Sequence, residues 1–285
     1  MQKRKLEELN LLDNFMFGSM MGYPEIGEVF CKKLLKIIFQ RDFTNLRITP
    51  QKVYYGMDTE LHGTRLDVFI EEDGENPEGI ATVYDVEPDK NSDKKSIQAL
   101  PKRMRFYHSK IDAGSLQSGE DYSNLKNLVS IMITSYDPFG LDRILYTIKN
   151  TCVEEPEMDY RDGVMTLYLY TKGSDGNVPE SLREFLRYME DTREENVVNE
   201  ELKELQTMVQ TVKRDKEVSV AYMRLMEDER ILINRIREEE QINTKREKER
   251  ADREATRAEQ QATRAEKAEA ELKILRRLLE QQSQL

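Results

Sequence analysis

Hydrophobic and polar positions follow two different rhythms in the first ninety residues. Residues 11–40 carry apolar side chains at helical spacing, with Pro24 near the start of PEIGEVFCKKLLKIIF. From 52 to 87 the pattern changes to short β-branched and aromatic runs, KVYYG, TRLDVFIE and GIATVYDVE. The segment DGENPEG between the last two runs is a strong turn signal. The pattern therefore predicts helix, then strands.

The alternation of helical and extended patterns continues to about residue 180. A polar helix is predicted over about 94–112, interrupted or started afresh at Pro101, and two buried-type strands follow in NLVSIMITSYDPFG and GVMTLYLYTKG. This order predicts the α/β class. After about Pro179 the pattern is wholly helical, so we predict an α/β domain over 1–185 and a helical connector over 186–226 that packs on it.

Residues 227–285 contain no glycine or proline, and ATRAEQ at 255 recurs as ATRAEK at 262. Seam positions at 4-3 spacing, with one break at Glu269, are Ala251, Ala255, Ala258, Ala262, Ala265, Leu272, Leu275 and Leu279. This repeat predicts a coiled coil that pairs the chain into a homodimer. The alternative is a solvated single helix held by ion pairs between successive turns.

Composition narrows the function classes. The 285 residues have a formal net charge of −11, which disfavours tight non-specific binding of nucleic acid unless bound cations neutralise the acids. Two distant cysteines indicate a reducing compartment, and two histidines make a Cys/His zinc site improbable. Without an apolar leader or an 18-residue apolar run, we expect a cytoplasmic protein that does not enter a membrane.

Acidic residues recur inside the predicted strands. Asp67 interrupts an apolar strand, and Asp85, Glu87 and Asp89 share one face of TVYDVEPDK. The ordinary explanations are an ion pair of Asp67 with Arg65 and a solvated acidic face. Like charges on one face repel each other, however, and a divalent cation would offset that repulsion. Carboxylates from neighbouring strands with a main-chain carbonyl suit Mg²⁺.

These acids also carry a family resemblance. The spacing of these residues resembles the PD-(D/E)xK nuclease signature: Asp67 is followed after about twenty residues by Glu87-x-Asp89 and then by Lys90. The ordered series LLDNFMFGSMM, RLDVFIE, VYDVEPDK, LPKRMRFYHSKID, GEDYSNLKNLVSIMIT and YDPFG is similar to the Rpn-type branch, recombination-promoting nucleases described as putative transposases. The likeness spans roughly residues 8 to 185 and does not cover the predicted coiled coil.

The resemblance implies an α/β/α restriction-endonuclease-like core around a mixed sheet. It also implies a Mg²⁺ or Mn²⁺ ion held by Asp67, Glu87 and the carbonyl of Pro88. The last motif position, usually lysine or glutamine, is Asp89 here. Either Asp89 is a further ligand, or Pro88 turns the chain so that Lys90 takes the catalytic lysine's role. We count Asp67, Glu87, Asp89 and Lys90 as the candidate catalytic residues.

Other residues near the motif are candidates for contacts with DNA. Arg103, Arg105 and Tyr107 follow the motif on a predicted helix, where Arg103 and Tyr107 share a face. They are candidate phosphate contacts, and surface ion pairing is the alternative. Glu28 matches an upstream acid of many such nucleases, although an exposed helix charge is the simpler interpretation.

Two functions from different classes follow. The first is a metal-dependent DNA endonuclease that acts in recombination, mobile-element upkeep or phage defence, with a coiled coil that pairs two catalytic domains. The second is a catalytically weakened nuclease fold that serves as a DNA- or protein-binding module. Asp67 and Glu87 favour the enzyme, whereas Asp89 and the acidic charge favour the binding module.

Overall fold

The structure is a computed structural model that describes residues 4–50, 53–54, 64–65, 68–73, 81–116 and 118–282. The chain divides into two compact units, Met1–Tyr222 and Met223–Leu285. Every described strand lies in the first unit, and the described residues of the second unit are helical. Within the described part of the chain, no helix combines the length and the apolarity needed to cross a membrane.

The first unit is built on a six-stranded mixed sheet with the order β1-β4-β5-β6-β8-β7. Strands β5, β6 and β8 are parallel to one another, whereas the β1–β4, β4–β5 and β7–β8 pairs are antiparallel. A separate antiparallel pair joins β2 and β3. The strands are β1 Leu46–Pro50, β2 Val53–Tyr54, β3 Thr64–Arg65, β4 Val68–Glu72, β5 Thr82–Asp89, β6 Asn127–Thr134, β7 Leu145–Ile148 and β8 Val164–Tyr170.

Helices pack on both faces of this sheet. The α-helices of the described residues are α1 Asn14–Gly22, α2 Ile26–Phe39, α3 Lys94–Ala113, α4 Glu180–Glu190, α5 Glu200–Arg214 and α6 Lys216–Gln282. Leu100 and Met104 of α3 pack against Met132 of β6 on one face. On the other face, the rings of Phe39 and Tyr84 lie 5.5 Å apart between α2 and β5. The predicted α/β class is confirmed, and the arrangement has three layers.

The predicted helix over 11–40 is two helices. The chain breaks between α1 and α2 at Tyr23–Glu25, where Pro24 lacks an amide hydrogen and Glu25 has a φ of 67°. Gly27 then lets α2 start against the end of α1, since a Cβ at this position would lie 2.2 Å from the carbonyl oxygen of Met21. The helical pattern was correct, but the hydrophobic spacing alone did not show the break.

Two prolines sit inside regular elements without ending them. Helix α3 continues through Pro101, contrary to the expected interruption, because its neighbour Leu100 and Met104 one turn later are buried against the sheet. That packing offsets the hydrogen bond that the proline removes. Asp93 also fixes the start of α3 by accepting hydrogen bonds from the amides of Lys95 and Ser96.

Strand β5 continues through Pro88 to Asp89, contrary to the expected break. The amides of Asn127 and Ser135 donate to the carbonyls of Ala81 and Asp89, so the odd-numbered residues of β5 hydrogen-bond to β6. The even-numbered residues hydrogen-bond towards β4, and the last described pair there is Val68↔Val86. Pro88 lies beyond that pair, so its missing amide hydrogen costs none of the described bonds.

Helix α6 has 67 residues and therefore extends over about 100 Å at 1.5 Å per residue. Its part in the second unit exposes large apolar side chains among many charged ones. These are Met223, Leu225, Ile231, Leu232, Ile233, Ile236, Ile242, Leu272 and Ile274. The long C-terminal helix is confirmed, and its assembly into a coiled coil stays a prediction.

Candidate acidic site on strand β5

The three acids of β5 are buried. Asp85, Glu87 and Asp89 have exposed fractions of 0%, 8% and 7%, and the pleat places them on one face. The same face carries Val83, which packs with Ile111 of α3, so the acids lie beneath that helix. A solvated acidic face is therefore excluded, and each carboxylate requires compensation from its surroundings.

Asp89 is compensated by three donors. Arg103 of α3 forms an ion pair with its Oδ2 atom, and the Tyr136 hydroxyl donates to the same oxygen over 3.0 Å. The amide of Asn91 donates to Oδ1 over 2.7 Å. Burial acts to lower the pKa of Arg103, but the hydrogen bond and charge of Asp89 outweigh it and raise that pKa. Asp89 is thus part of a buried ion pair, and Arg103 remains charged.

Glu87 and Pro88 offer oxygen ligands near the carboxyl end of β5, the end that leads into α3. Glu87 pairs in register with Met132 of β6, and the carbonyl of Pro88 faces the β4 side of its strand. Carboxylate and carbonyl oxygens are the ligands that Mg²⁺ and Mn²⁺ take in proteins. The chemistry of these two donors fits such an ion.

The other predicted metal ligand, Asp67, lies outside the described residues. Within the ranges that are described, no three His, Cys, Asp or Glu side chains converge to hold a metal ion. A site built on Glu87 and Pro88 therefore needs at least one further donor from the rest of the chain, and Asp67 is the candidate.

Lys90 points away from the acids of β5 and binds Asp13. Its Nζ lies 3.0 Å from Oδ1 of Asp13, the residue before α1, and Arg4 contacts the same carboxylate. Burial acts to raise the pKa of Asp13, but the hydrogen bonds from Lys90 and Arg4 outweigh it, so that pKa is lowered. Sequence reasoning did not foresee this partner, although Asp13 belongs to the motif LLDNFMFGSMM.

The remaining predicted contacts differ in environment. Arg105 is exposed, whereas Tyr107 is half-buried and packs against two clusters of the core. Arg103 and Tyr107 are thus on the sheet side of α3, and Arg105 faces away. Glu28 lies on the surface of α2, where its carboxylate forms an ion pair of 2.6 Å with Lys32 one turn later.

A second polar group crosses the sheet beside the acids. Asp85, Ser130 and Thr166 are register partners on β5, β6 and β8. The Nε2 atom of His108 on α3 lies 3.0 Å from Ser130 Oγ and 3.4 Å from Thr166 Oγ1. Ser130 Oγ in turn donates to Asp85 Oδ2 over 3.5 Å. Sequence patterns did not single out this row because the pairing of parallel strands is not local.

Burial lowers the pKa of His108, and the nearby charge of Asp162 opposes this only in part. The imidazole is therefore neutral at pH 7. Ser130 and Asp85 are fully buried, and this row gives the Ser130 hydroxyl and Asp85 Oδ2 hydrogen-bond partners inside the sheet.

No protein-family model, curated protein or solved structure matches the chain.

Proposed function

We propose that the protein is a metal-dependent DNA endonuclease whose centre is Glu87. The observation that carries the proposal is the buried carboxylate of Glu87, which lies between Asp85 and Asp89 on one face of β5. Keeping three acids on one buried strand face is costly unless cations offset their charges. Arg103 compensates Asp89, and the carboxylate of Glu87 with the carbonyl of Pro88 offers oxygen ligands of the kind that a divalent cation takes.

The proposal requires a second carboxylate opposite Glu87. The described β4–β5 pairing is antiparallel and ends at Val68↔Val86. A ladder that continued by one more pair would bring residue 67 opposite residue 87. Because the residues of such a pair point to the same face of a sheet, Asp67 and Glu87 could then share one ion, with the carbonyl of Pro88 as a further ligand.

The chain's own residues would supply the other requirements of phosphodiester hydrolysis. A bound Mg²⁺ or Mn²⁺ ion provides a water molecule of lowered pKa and neutralises negative charge on the phosphate. Arg103 stays charged, and one of its terminal nitrogens lies 3.8 Å from the sulfur of Met132, the register partner of Glu87. Its guanidinium therefore lies against the β6 residue that pairs with Glu87, and we propose that from there it contacts a phosphate oxygen.

The long helix supports a dimeric form of the enzyme. We propose that α6 pairs two chains through the alanine seam and the leucines near its end, so that two catalytic units cut both strands of a duplex. The support is the seven-residue repeat and the apolar side chains exposed along the helix, such as Leu272 and Ile274. Recombination, mobile-element upkeep and phage defence are the biological roles that double-strand cleavage would serve.

One observation favours a second function, a binding module with the same fold. Both charged residues that follow Glu87 in the motif are already engaged, Asp89 with Arg103 and Lys90 with Asp13. In this alternative neither residue assists hydrolysis. The domain binds DNA or protein without cutting, and α6 provides the assembly.

Incubation of the purified protein with plasmid and linear DNA tests the proposal. We expect cleavage with Mg²⁺ or Mn²⁺, none with a chelator, and none for Glu87→Ala. Glu28→Ala is the matched control, because Glu28 is a surface acid paired with Lys32. Loss of the cleavage in Glu28→Ala but not in Glu87→Ala would contradict the proposal, and DNA binding without cleavage in either metal would favour the binding module.

A further inference from the structure

The loop between β6 and β7, residues 135–144, presents two apolar side chains to solvent. Phe139 is 37% exposed and Leu141 is 64% exposed. The loop follows the carboxyl end of β6, which runs parallel to β5, so it lies at the same edge of the sheet as Asp89. Ligands of open α/β sheets bind at the carboxyl ends of the strands.

Hydrogen bonds fix the backbone of this loop. The carboxylate of Asp137 accepts from the amides of Phe139 (3.0 Å) and Asp142 (2.6 Å) and from the Tyr146 hydroxyl (2.9 Å). The carbonyl of Asp142, a residue with φ of 56°, accepts from two further amides, those of residues 174 and 175. These hydrogen bonds hold the loop backbone on both sides, and so keep Phe139 and Leu141 in place.

The ring of Phe139 connects to the candidate site through a layer of tyrosines. Its centroid lies 4.9 Å from that of Tyr146 and 5.0 Å from that of Tyr168, with edge-to-face geometry in both pairs. Tyr168 packs with Tyr136, and the Tyr136 hydroxyl donates to Asp89. Two tyrosines, Tyr168 and Tyr136, thus connect Phe139 to the Asp89–Arg103 pair.

We propose that Phe139, with Leu141 beside it, is a binding site for an unstacked nucleobase. This inference rests on the proposed action on DNA and adds a preference for strands whose bases are unpaired. An exposed aromatic ring on a rigid loop stacks on any base, and apolar side chains also enter opened base steps. Arg143 and Lys172 near the loop are half-exposed cations that can exchange their carboxylate partners for the phosphates of the same strand.

The chain contains no tryptophan, so Phe139→Trp creates a single fluorescent reporter at the proposed site. We expect its emission to fall on titration with single-stranded oligothymidine in Ca²⁺ or chelator, because a stacked base quenches indole fluorescence. Tyr122→Trp is the matched control. Tyr122 is 85% exposed and precedes β6, so it lies at the opposite edge of the sheet, and its emission should stay constant.

Affinity provides the second measurement. Phe139→Ala should weaken binding of labelled single-stranded DNA roughly tenfold, the loss expected for one stacked base, and change duplex binding less than twofold. Phe139→Trp should retain the wild-type affinity for single strands, because tryptophan also stacks on a base. Retained affinity would also show that the loop tolerates substitution at this position.

The outcomes separate the two proposals. Wild-type affinity for single strands in Phe139→Ala, with duplex cleavage intact, overturns the inference and leaves the nuclease standing. A wild type that binds no DNA, single-stranded or duplex, overturns both. Equal quenching in the Phe139→Trp and Tyr122→Trp variants would also overturn the inference, since it would report non-specific contact.

Discussion

The guanidinium of Arg103 on α3 and the carboxylate of Asp89 at the end of β5 form an ion pair beneath the helix. Asp89 is 7% exposed, and its other hydrogen bonds come from Tyr136 and the amide of Asn91. The pair fixes α3 to the strand that carries Glu87. Arg103 also contacts Met132, the register partner of Glu87 on β6, so the pair links the stability of the domain to its proposed chemistry.

Breaking this pair should destabilise the domain cooperatively. Arg103→Met and Asp89→Asn each leave one partner uncompensated, and each should cost about 1–3 kcal/mol of unfolding free energy. The double variant should cost less than the sum by about 1 kcal/mol or more. Urea denaturation measures all four proteins, and Arg105→Met is the control because Arg105 is exposed. Additive losses would contradict the coupling.

Because Asp13 is ion-paired with Lys90, the stability of the domain should fall at acidic pH. Folding lowers the pKa of Asp13. Its carboxylate therefore stabilises the fold above about pH 4, the pKa of an aspartate in the unfolded chain, and this stabilisation is lost as the pH falls further. Asp13→Asn should therefore cost about 1 kcal/mol at pH 7 and less at pH 3. Urea denaturation at both pH values measures the difference.

Asp42→Asn is the matched control for Asp13, because Asp42 forms an exposed pair with Lys36 and should change little at either pH. A cost for Asp13→Asn that is the same at pH 3 as at pH 7 would contradict the prediction. Lys90→Ala tests function separately. Full cleavage activity in that variant would assign Lys90 to the contact with Asp13 and remove it from the catalytic residues.

Acid should also destabilise the domain through His108. Burial lowers its pKa, so the unfolded chain binds a proton more readily than the folded one. The contribution of neutral His108 to stability is therefore fully present above pH 6.5, about the pKa of histidine in the unfolded chain. It decreases as the pH falls below that value. Thermal unfolding from pH 7.5 to 5.5 should show this slope, and His108→Gln should reduce it. A slope in His108→Gln that is as steep as in the wild type would contradict the prediction.

Substitutions in α6 test the predicted dimer. Leu275→Asp with Leu279→Asp should shift the protein towards monomer, since each buried leucine contributes about 1.5–3 kcal/mol and an alanine far less. Light scattering at tens of micromolar measures the mass. Gln260→Asp with Gln281→Asp adds the same charge away from the seam, since both residues share one heptad position that is not a seam position, and should leave a dimer. A monomeric wild type, or a double leucine variant that stays dimeric, would contradict the prediction.

Local patterns predicted most of the elements but not the contacts between them. The periodicity of β5 was visible because the alternation of Val83, Asp85, Glu87 and Asp89 lies within eight residues. Strand β7 was missed because it is a short edge strand of four residues. Strand β1 was also missed, although it pairs along its whole length with β4.

The candidate site was predictable in its acids and not in their partners. The strand patterns indicated Asp67, Glu87 and Asp89, and the resemblance gave Asp67 and Glu87 the role of metal ligands. Arg103 reaches Asp89 only because β6 inserts between β5 and β8 and α3 crosses above them, which no spacing in the sequence encodes. For the same reason, the sequence did not show whether Asp89 binds a metal ion or a basic side chain.

Calorimetric titration with Mn²⁺ tests the central claim most directly, because it detects the ion at Glu87 whether or not DNA is cut. We predict one site per chain in the wild type and at least a tenfold loss of affinity in Glu87→Gln and in Asp67→Asn, since each removes a charged ligand. Glu28→Gln should bind as the wild type does. Wild-type affinity in Glu87→Gln, or no binding to the wild type at millimolar Mn²⁺, would contradict the account.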